Sequence, residues 1–184
     1  SDQIRNIALV GHQGSGKTML AEAMLFNTGV IPRMGSIEEG STLSDYHSSE
    51  RERQMSIFTS LLHAEWDGVK INILDTPGYA DFVGEVVASM KAADLAVYVM
   101  NAAEGVQVGT ELSWKYGSMT EKPSMFVINH LDKGESDFRV LVSQIKERFG
   151  RGATVVQIPA GAGTRAIIDV LLMKQLVFAE DGTF

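Results

Sequence analysis

Ile4-Arg5-Asn6-Ile7-Ala8-Leu9-Val10, followed at once by Gly11-His12-Gln13-Gly14-Ser15-Gly16-Lys17-Thr18, is the stretch that decides the fold. The first seven residues form an apolar run suited to a buried strand. The next eight fill every fixed position of the pattern G-x-x-x-x-G-K-T. From Lys17 to about Asn27 the residues Leu20, Ala23 and Met24 recur at helical spacing. Strand, glycine loop and helix in that order predict a phosphate-binding loop. Gly11, Gly14 and Gly16 let backbone N–H groups turn inward at a helix N-terminus, and His12, Gln13 and Ser15 lie in the same nest. Lys17 is expected to neutralise β- and γ-phosphate charge, and the Thr18 hydroxyl to ligate Mg²⁺.

Outward from this loop the pattern alternates. Residues 56–65 and 69–75 read as two strands joined at Trp66-Asp67-Gly68, a hairpin signal. From Tyr79 the period turns helical, with Phe82, Val83, Val86, Val87 and Met90 on one face. Leu95–Met100 and Ser124–Asn129 are buried-strand runs. Helices are predicted over Val108–Met119 and through Phe138, Leu141, Val142, Ile145 and Phe149. Thr154–Ile158 is a short strand, and Ile167–Phe178 fits a strand or a short helix. The expected class is α/β: a mostly parallel sheet, one antiparallel edge strand, and helices on both faces. The stretch from about Gly29 to Ser56 has no sustained period, and a loop of that length is usually functional or mobile.

Composition narrows the function classes. The chain has 184 residues, no cysteine and a formal net charge of −7. Thiol chemistry, disulfides and cysteine-based zinc sites are excluded, and the composition suits a reducing cytoplasm. A broad basic surface for DNA is not expected. No apolar run approaches the roughly 20 residues that span a bilayer, so no membrane association is expected.

Two further motifs follow strands, where ligands sit in parallel sheets. Asp75-Thr76-Pro77-Gly78 ends the run Val69–Leu74. Asp75 can hold Mg²⁺ directly or through water, and Gly78 can offer its N–H to a γ-phosphate. Asn129-His130-Leu131-Asp132 follows the next buried run but one. An Asn129 amide suits a purine edge, and an ionised Asp132 suits the N1–H and 2-amino donors of guanine. Taken alone, Asp132 would sooner be a helix N-cap. Taken with the other motifs in order, it points to GTP or GDP.

The order Gly-x-x-x-x-Gly-Lys-Thr, Glu50-Arg51-Glu52-Arg53, Asp75-Thr76-Pro77-Gly78, Asn-x-x-Asp resembles the translational GTPases. Within them the likeness is to bacterial elongation factor G and its paralogues. Gly78-Tyr79-Ala80-Asp81-Phe82, Gly105-Val106-Gln107, Glu135-Ser136-Asp137-Phe138 and the tail Ile167–Val170 with Met173-Lys174 carry it further. The resemblance implies a P-loop G domain, Mg²⁺, and the ribosome as partner of a longer, cytoplasmic protein, with this domain monomeric. It implies a GTP-binding domain over residues 1–158 and the start of an insert over 159–184. The final guanine-binding loop would then lie beyond Phe184, and the chain is expected to be a piece of that protein.

Departures from the family pattern bear on catalysis. Tyr79 stands where the family has the His that positions attacking water, and a phenol ordinarily titrates at about pH 10. Ser56 aligns with the family's Mg²⁺-ligating Thr. His130 replaces a Lys whose stem packs on the base. Gln13 and Met55 occupy positions of a hydrophobic gate in the family. The expected catalytic set is Lys17, Gly78 and Tyr79, and the expected metal set is Thr18, Ser56 and Asp75. Two other readings stay open: a nucleotide-gated binding module with little hydrolysis, and an ATP-using protein, against which the Asn129/Asp132 pair argues.

Overall fold

The computed structural model describes residues 3–133, 137–160 and 165–179. Glu135 and Ser136 of the family-like stretch, and the connector Gly161-Ala162-Gly163, lie outside the described residues. The chain divides into two compact units. The first holds residues 1–100 and 107–127, and the second holds 101–106 and 128–184.

The first unit is built on a five-stranded sheet. Its strands are β1 (Ile4–Val10), β2 (Ser60–Trp66), β3 (Val69–Asp75), β4 (Leu95–Asn101) and β5 (Ser124–Asn129), in the spatial order β2-β3-β1-β4-β5. β1 pairs parallel with β3 and β4, whereas β2 pairs antiparallel with β3, so β2 is the antiparallel edge strand. The β2–β3 turn works because Asp67 and Gly68 both take positive φ, 47° and 75°, as a tight two-residue hairpin requires. Strand β2 begins at Ser60, four residues later than its apolar pattern predicts, since 56–59 is drawn into the preceding loop by side-chain acceptors described below.

Alternation along the strands sends side chains to both faces, and each face acquires a helix. One core joins Leu9, Ile73, Val97 and Val99 to Ala21 and Leu25 of α1 (Lys17–Asn27). The stretch without sustained period contains a short helix, α2 (Ser48–Arg53), that has no apolar face to announce it. The opposite core joins Ala8, Val10, Ala96 and Tyr98 to Val86 and Met90 of α3 (Val83–Ala92), with Trp114 and Tyr116 of α4 (Val108–Ser118) against it. Complete burial of residues such as Leu25 and Met90 stabilises by about 1.5–3 kcal/mol each.

The second unit contains α5 (Phe138–Phe149) and a three-stranded antiparallel sheet. Its strands are β6 (Gln157–Pro159), β7 (Ala166–Asp169) and β8 (Lys174–Val177), so the ambiguous tail is a hairpin rather than a helix. Asp169 holds that hairpin by accepting from Gln157 Nε2 at 3.0 Å and Leu172 N at 2.9 Å. Those two bonds hold its carboxyl below the ordinary range.

Candidate nucleotide-binding site

The loop after β1 curls as its glycines permit, with φ of 140°, 72° and 92° at Gly11, Gly14 and Gly16. At Gly11 a side chain is excluded twice, by its φ and by the Val99 carbonyl oxygen, which lies where a Cβ would stand. Lys17, the first residue of α1, folds back over the loop. Its Nζ donates to the Gly11 and His12 carbonyls at 3.1 and 2.9 Å. Only 6% exposed, the ammonium is pulled down to about 8 by burial, against the attraction of Asp75 and Asp45. The backbone of His12 therefore serves the loop, while its buried Nδ1 is turned to α4, 2.6 Å from where a Cβ on Gly109 would lie.

Asp75 ends β3 at the heart of the site and is fully buried. Its Oδ2 accepts from Thr18 Oγ1 at 2.7 Å and from Ser44 Oγ at 2.6 Å. Ser56 Oγ lies 3.3 Å from Thr18 Oγ1 and donates to Asp45 Oδ1 at 2.8 Å. Three hydroxyls and two carboxylates thus converge from α1, β3 and the 29–59 segment. Burial pushes the Asp75 carboxyl up to about 6 in spite of both hydrogen bonds and the Lys17 charge. Burial also raises Asp45, with Glu50 and Glu22 adding repulsion. Asp75 Oδ1 is buried without a partner.

An orphaned carboxylate oxygen beside hydroxyls is the donor chemistry a hard cation requires. Among the described residues no cluster of three His, Cys, Asp or Glu could hold a metal by itself. Mg²⁺ would need few carboxylates here, because phosphate oxygens and water supply most of its ligands in nucleotide sites. Thr18, Ser56 and Asp75 bring their oxygens together at this point.

Gly78 closes over the loop. A Cβ there would stand 2.6 Å from Gln13 N and 2.7 Å from Lys17 Nζ, so only glycine fits this close approach. Tyr79 follows, 38% exposed, capping a single 3-10 turn at Ala80–Phe82 before α3. Tyr79 lines a shallow groove with Gly11, Pro77, Val83, Gly109 and Leu112. The first unit thus brings together the phosphate loop, Ser56, Asp75, Gly78 and Tyr79.

Asn129, His130 and Asp132 fall in the second unit. Asn129 ends β5 and its carbonyl accepts from Ala102 N at 2.9 Å. His130 takes a left-handed φ of 59° and its carbonyl accepts from Lys133 N, turning the chain at Leu131-Asp132. Asp132 is not the helix cap. That task belongs to Asp137, whose carboxylate accepts from Arg139 N at 2.8 Å and Val140 N at 3.3 Å.

Sequence reasoning missed Ser44, Asp45, Glu22 and Glu50. Ser44 is pinned twice, since its carbonyl also accepts from Ser60 Oγ at 2.5 Å. Ser60 pairs with Asp75 across the β2–β3 hairpin, which explains why the loop returns to that carboxylate. For Ser44 and Asp45 the available signal was polar residues in a loop without period, for Glu50 its charged motif, and for Glu22 on α1 there was none.

A glycine phosphate loop, an acid at a neighbouring strand end and a glycine closing over the lysine define a P-loop G domain. Residues 2–181 match the model of the elongation factor Tu GTP binding domain, and the chain belongs to that family. Its relatives include the elongation factor G-like protein of Mycobacterium tuberculosis, 38% identical over 171 residues, covering 93% of this chain and 24% of that protein. Elongation factor G 2 of Treponema pallidum is 38% identical over 176 residues, covering 95% of this chain and 26% of that protein. A crystal structure from Thermus thermophilus superposes with a TM-score of 0.93 at 36% identity, over 98% of this chain and 27% of that one. The chain spans about a quarter of the length of these proteins.

Proposed function

We propose that the chain is the GTP-binding and GTP-hydrolysing switch domain of an elongation-factor-G-like translation factor that acts on the ribosome in the cytoplasm. The observation that carries this reading is Asp75. A fully buried carboxylate with one orphaned oxygen, beside a buried lysine and two loop hydroxyls, is an expensive arrangement unless a cation and phosphates complete it.

Lys17 leaves its two loop carbonyls to bind β- and γ-phosphate oxygens. The Gly78 N–H faces the γ-phosphate, and Thr18, Ser56 and Asp75 hold the cation side. Mg²⁺, when bound, neutralises charge on the β- and γ-oxygens. Water attacks the γ-phosphorus in line, the β–γ bridging oxygen leaves with GDP, and the water's proton ends on inorganic phosphate. Tyr79 orients that water through its hydroxyl. Asn129, His130 and Asp132 recognise guanine. Residues 1–158 form the nucleotide-binding domain and 159–184 begin an insert within it. The domain acts as a monomer, without DNA.

A second reading, a nucleotide-gated module with weak hydrolysis, is favoured by one observation: Tyr79 is a phenol where the family relies on imidazole. Phosphate release from GTP, with and without ribosomes, separates the two. The first reading expects slow release alone, stimulation by ribosomes, and at most about a tenfold gain from Tyr79→His. Release that ribosomes leave unchanged, and that Tyr79→His raises by orders of magnitude, would favour the module.

A further inference from the structure

The segment between α1 and β2 is fastened by carboxylates that accept from its backbone. Glu22 on α1, 1% exposed, accepts from Gly35 N at 2.8 Å and Leu43 N at 2.6 Å. Glu50, inside the segment, accepts from His47 N, Ile57 N and Phe58 N at 3.2, 3.0 and 3.1 Å. Glu85 on α3 accepts from Thr59 N at 2.9 Å through Oε2. The Thr59 hydroxyl lies 3.0 Å from that of Ser89, one turn further along α3.

These three tethers differ in what they are attached to. Glu22 stands on the helix that carries Lys17 and Thr18, so it anchors the segment to the phosphate loop. Glu50 belongs to the segment and moves with it. Glu85 stands on the first turn of the helix that follows Gly78 and Tyr79. Thr59, in turn, is three residues from Ser56, across the bend at Phe58.

We propose that Glu85 is a positioning residue that couples the Gly78 loop to the Ser56 hydroxyl, so that the two arms around the phosphates open and close together. The coupling rests on the nucleotide-switch reading above. Its physical basis is a backbone donor with few alternatives. The Thr59 N–H sits at the entrance to β2, partly shielded from water, and its acceptor is carried by α3. Movement of the Gly78 loop reaches the first turn of α3 through one 3-10 turn, a short path. If α3 shifts, Thr59 either follows its acceptor or leaves a shielded donor unpaired. Following it withdraws Ser56 from Thr18 and Asp45. The backbone tether acts beside a weaker side-chain one, since the Thr59 hydroxyl also donates to the Glu85 carbonyl at 3.5 Å.

Hydrogen exchange of the chain tests this in peptides spanning residues 56–60 and 78–84. Uptake is compared with Mg²⁺·GDP and with Mg²⁺ and a non-hydrolysable GTP analogue. In the wild type both peptides gain protection with the analogue. In Glu85→Ala the 78–84 peptide keeps its response, while 56–60 loses it and exchanges at least tenfold faster. Glu85→Gln retains an acceptor oxygen and restores the joint response, which a loss of packing alone would not explain. Should Glu85→Ala fail to fold, Glu85→Met, which keeps the stem without the oxygen, carries the same expectation. A wild type in which neither peptide distinguishes the nucleotides overturns the switch reading and the coupling with it. Peptides that respond together in the wild type and still do so in Glu85→Ala, or failure of Glu85→Gln to restore the response, overturn the coupling alone.

Discussion

Replacing Asp75 by asparagine separates what this residue does for folding from what it does for binding. Burial raises its carboxyl from the ordinary 3.8 to about 6. One unit corresponds to about 1.4 kcal/mol, so ionised Asp75 opposes folding by about 3 kcal/mol. The sign follows from proton counts. Between about pH 4 and 6 the folded state holds a proton that the unfolded chain has released, so wild-type stability falls as pH rises. The asparagine of the Asp75→Asn variant does not titrate. Its oxygen can accept from Thr18 and Ser44, while its amide nitrogen replaces the orphaned Oδ1 at a pH-independent cost of about 1–3 kcal/mol. For a domain of this size 1 kcal/mol moves Tm by about 2–4 °C. The Tm of Asp75→Asn minus that of wild type, measured in EDTA without nucleotide, should therefore climb by about 6–12 °C between about pH 4 and 7. Lys17 changes charge near 8, outside that window. Trp66 and Trp114 supply the fluorescence signal. With Mg²⁺·GDP at about 100 times its Kd the wild type regains about 2.7 kcal/mol and Asp75→Asn regains little. A difference that stays flat across this pH range would refute the reasoning.

Two further substitutions have definite expectations. Gly78→Ala places a methyl 2.6–2.7 Å from Gln13 N and Lys17 Nζ, so it should abolish the closed position and level GTP-analogue and GDP affinities, read by fluorescent-nucleotide titration. Glu22→Ala leaves the Gly35 and Leu43 amides unpaired, which should lower stability by about 1–3 kcal/mol in urea unfolding and expose residues 29–59 to limited proteolysis.

The parts of this molecule that were legible in its sequence are those with a short-range signature. The phosphate loop, the strand before it, the helix after it and the Asp67-Gly68 hairpin all state their conformation within a few residues. The 29–59 segment does not, because its order comes from acceptors elsewhere in the chain. Glu22 reads as an ordinary polar residue of α1, and Ser44 as one more loop serine, until β2 and β3 bring Ser60 and Asp75 beneath them. α2 was hidden for a related reason: Ser48–Arg53 is entirely polar, and it is held by Glu50 rather than by an apolar face. The tail at Ile167–Phe178 was ambiguous because an apolar run on an exposed sheet shows neither clean alternation nor a helical period. Asp132 and Asp137 are chemically alike as caps, and only the start of α5 at Phe138 chooses between them.

The proposed function requires that this chain bind a guanine nucleotide together with Mg²⁺, with Lys17, Thr18, Asp75 and Gly78 proposed for the phosphates and cation and Asn129 and Asp132 for the base. Competitive titration of a fluorescent GDP against GDP and ADP, with Mg²⁺ and then with EDTA, tests it most directly. GDP should bind at least about 100-fold more tightly than ADP, since adenine leaves the Asp132 acceptor unpaired. EDTA should weaken GDP binding by at least tenfold. ADP that binds as tightly as GDP, or GDP binding indifferent to Mg²⁺, would contradict the proposed function.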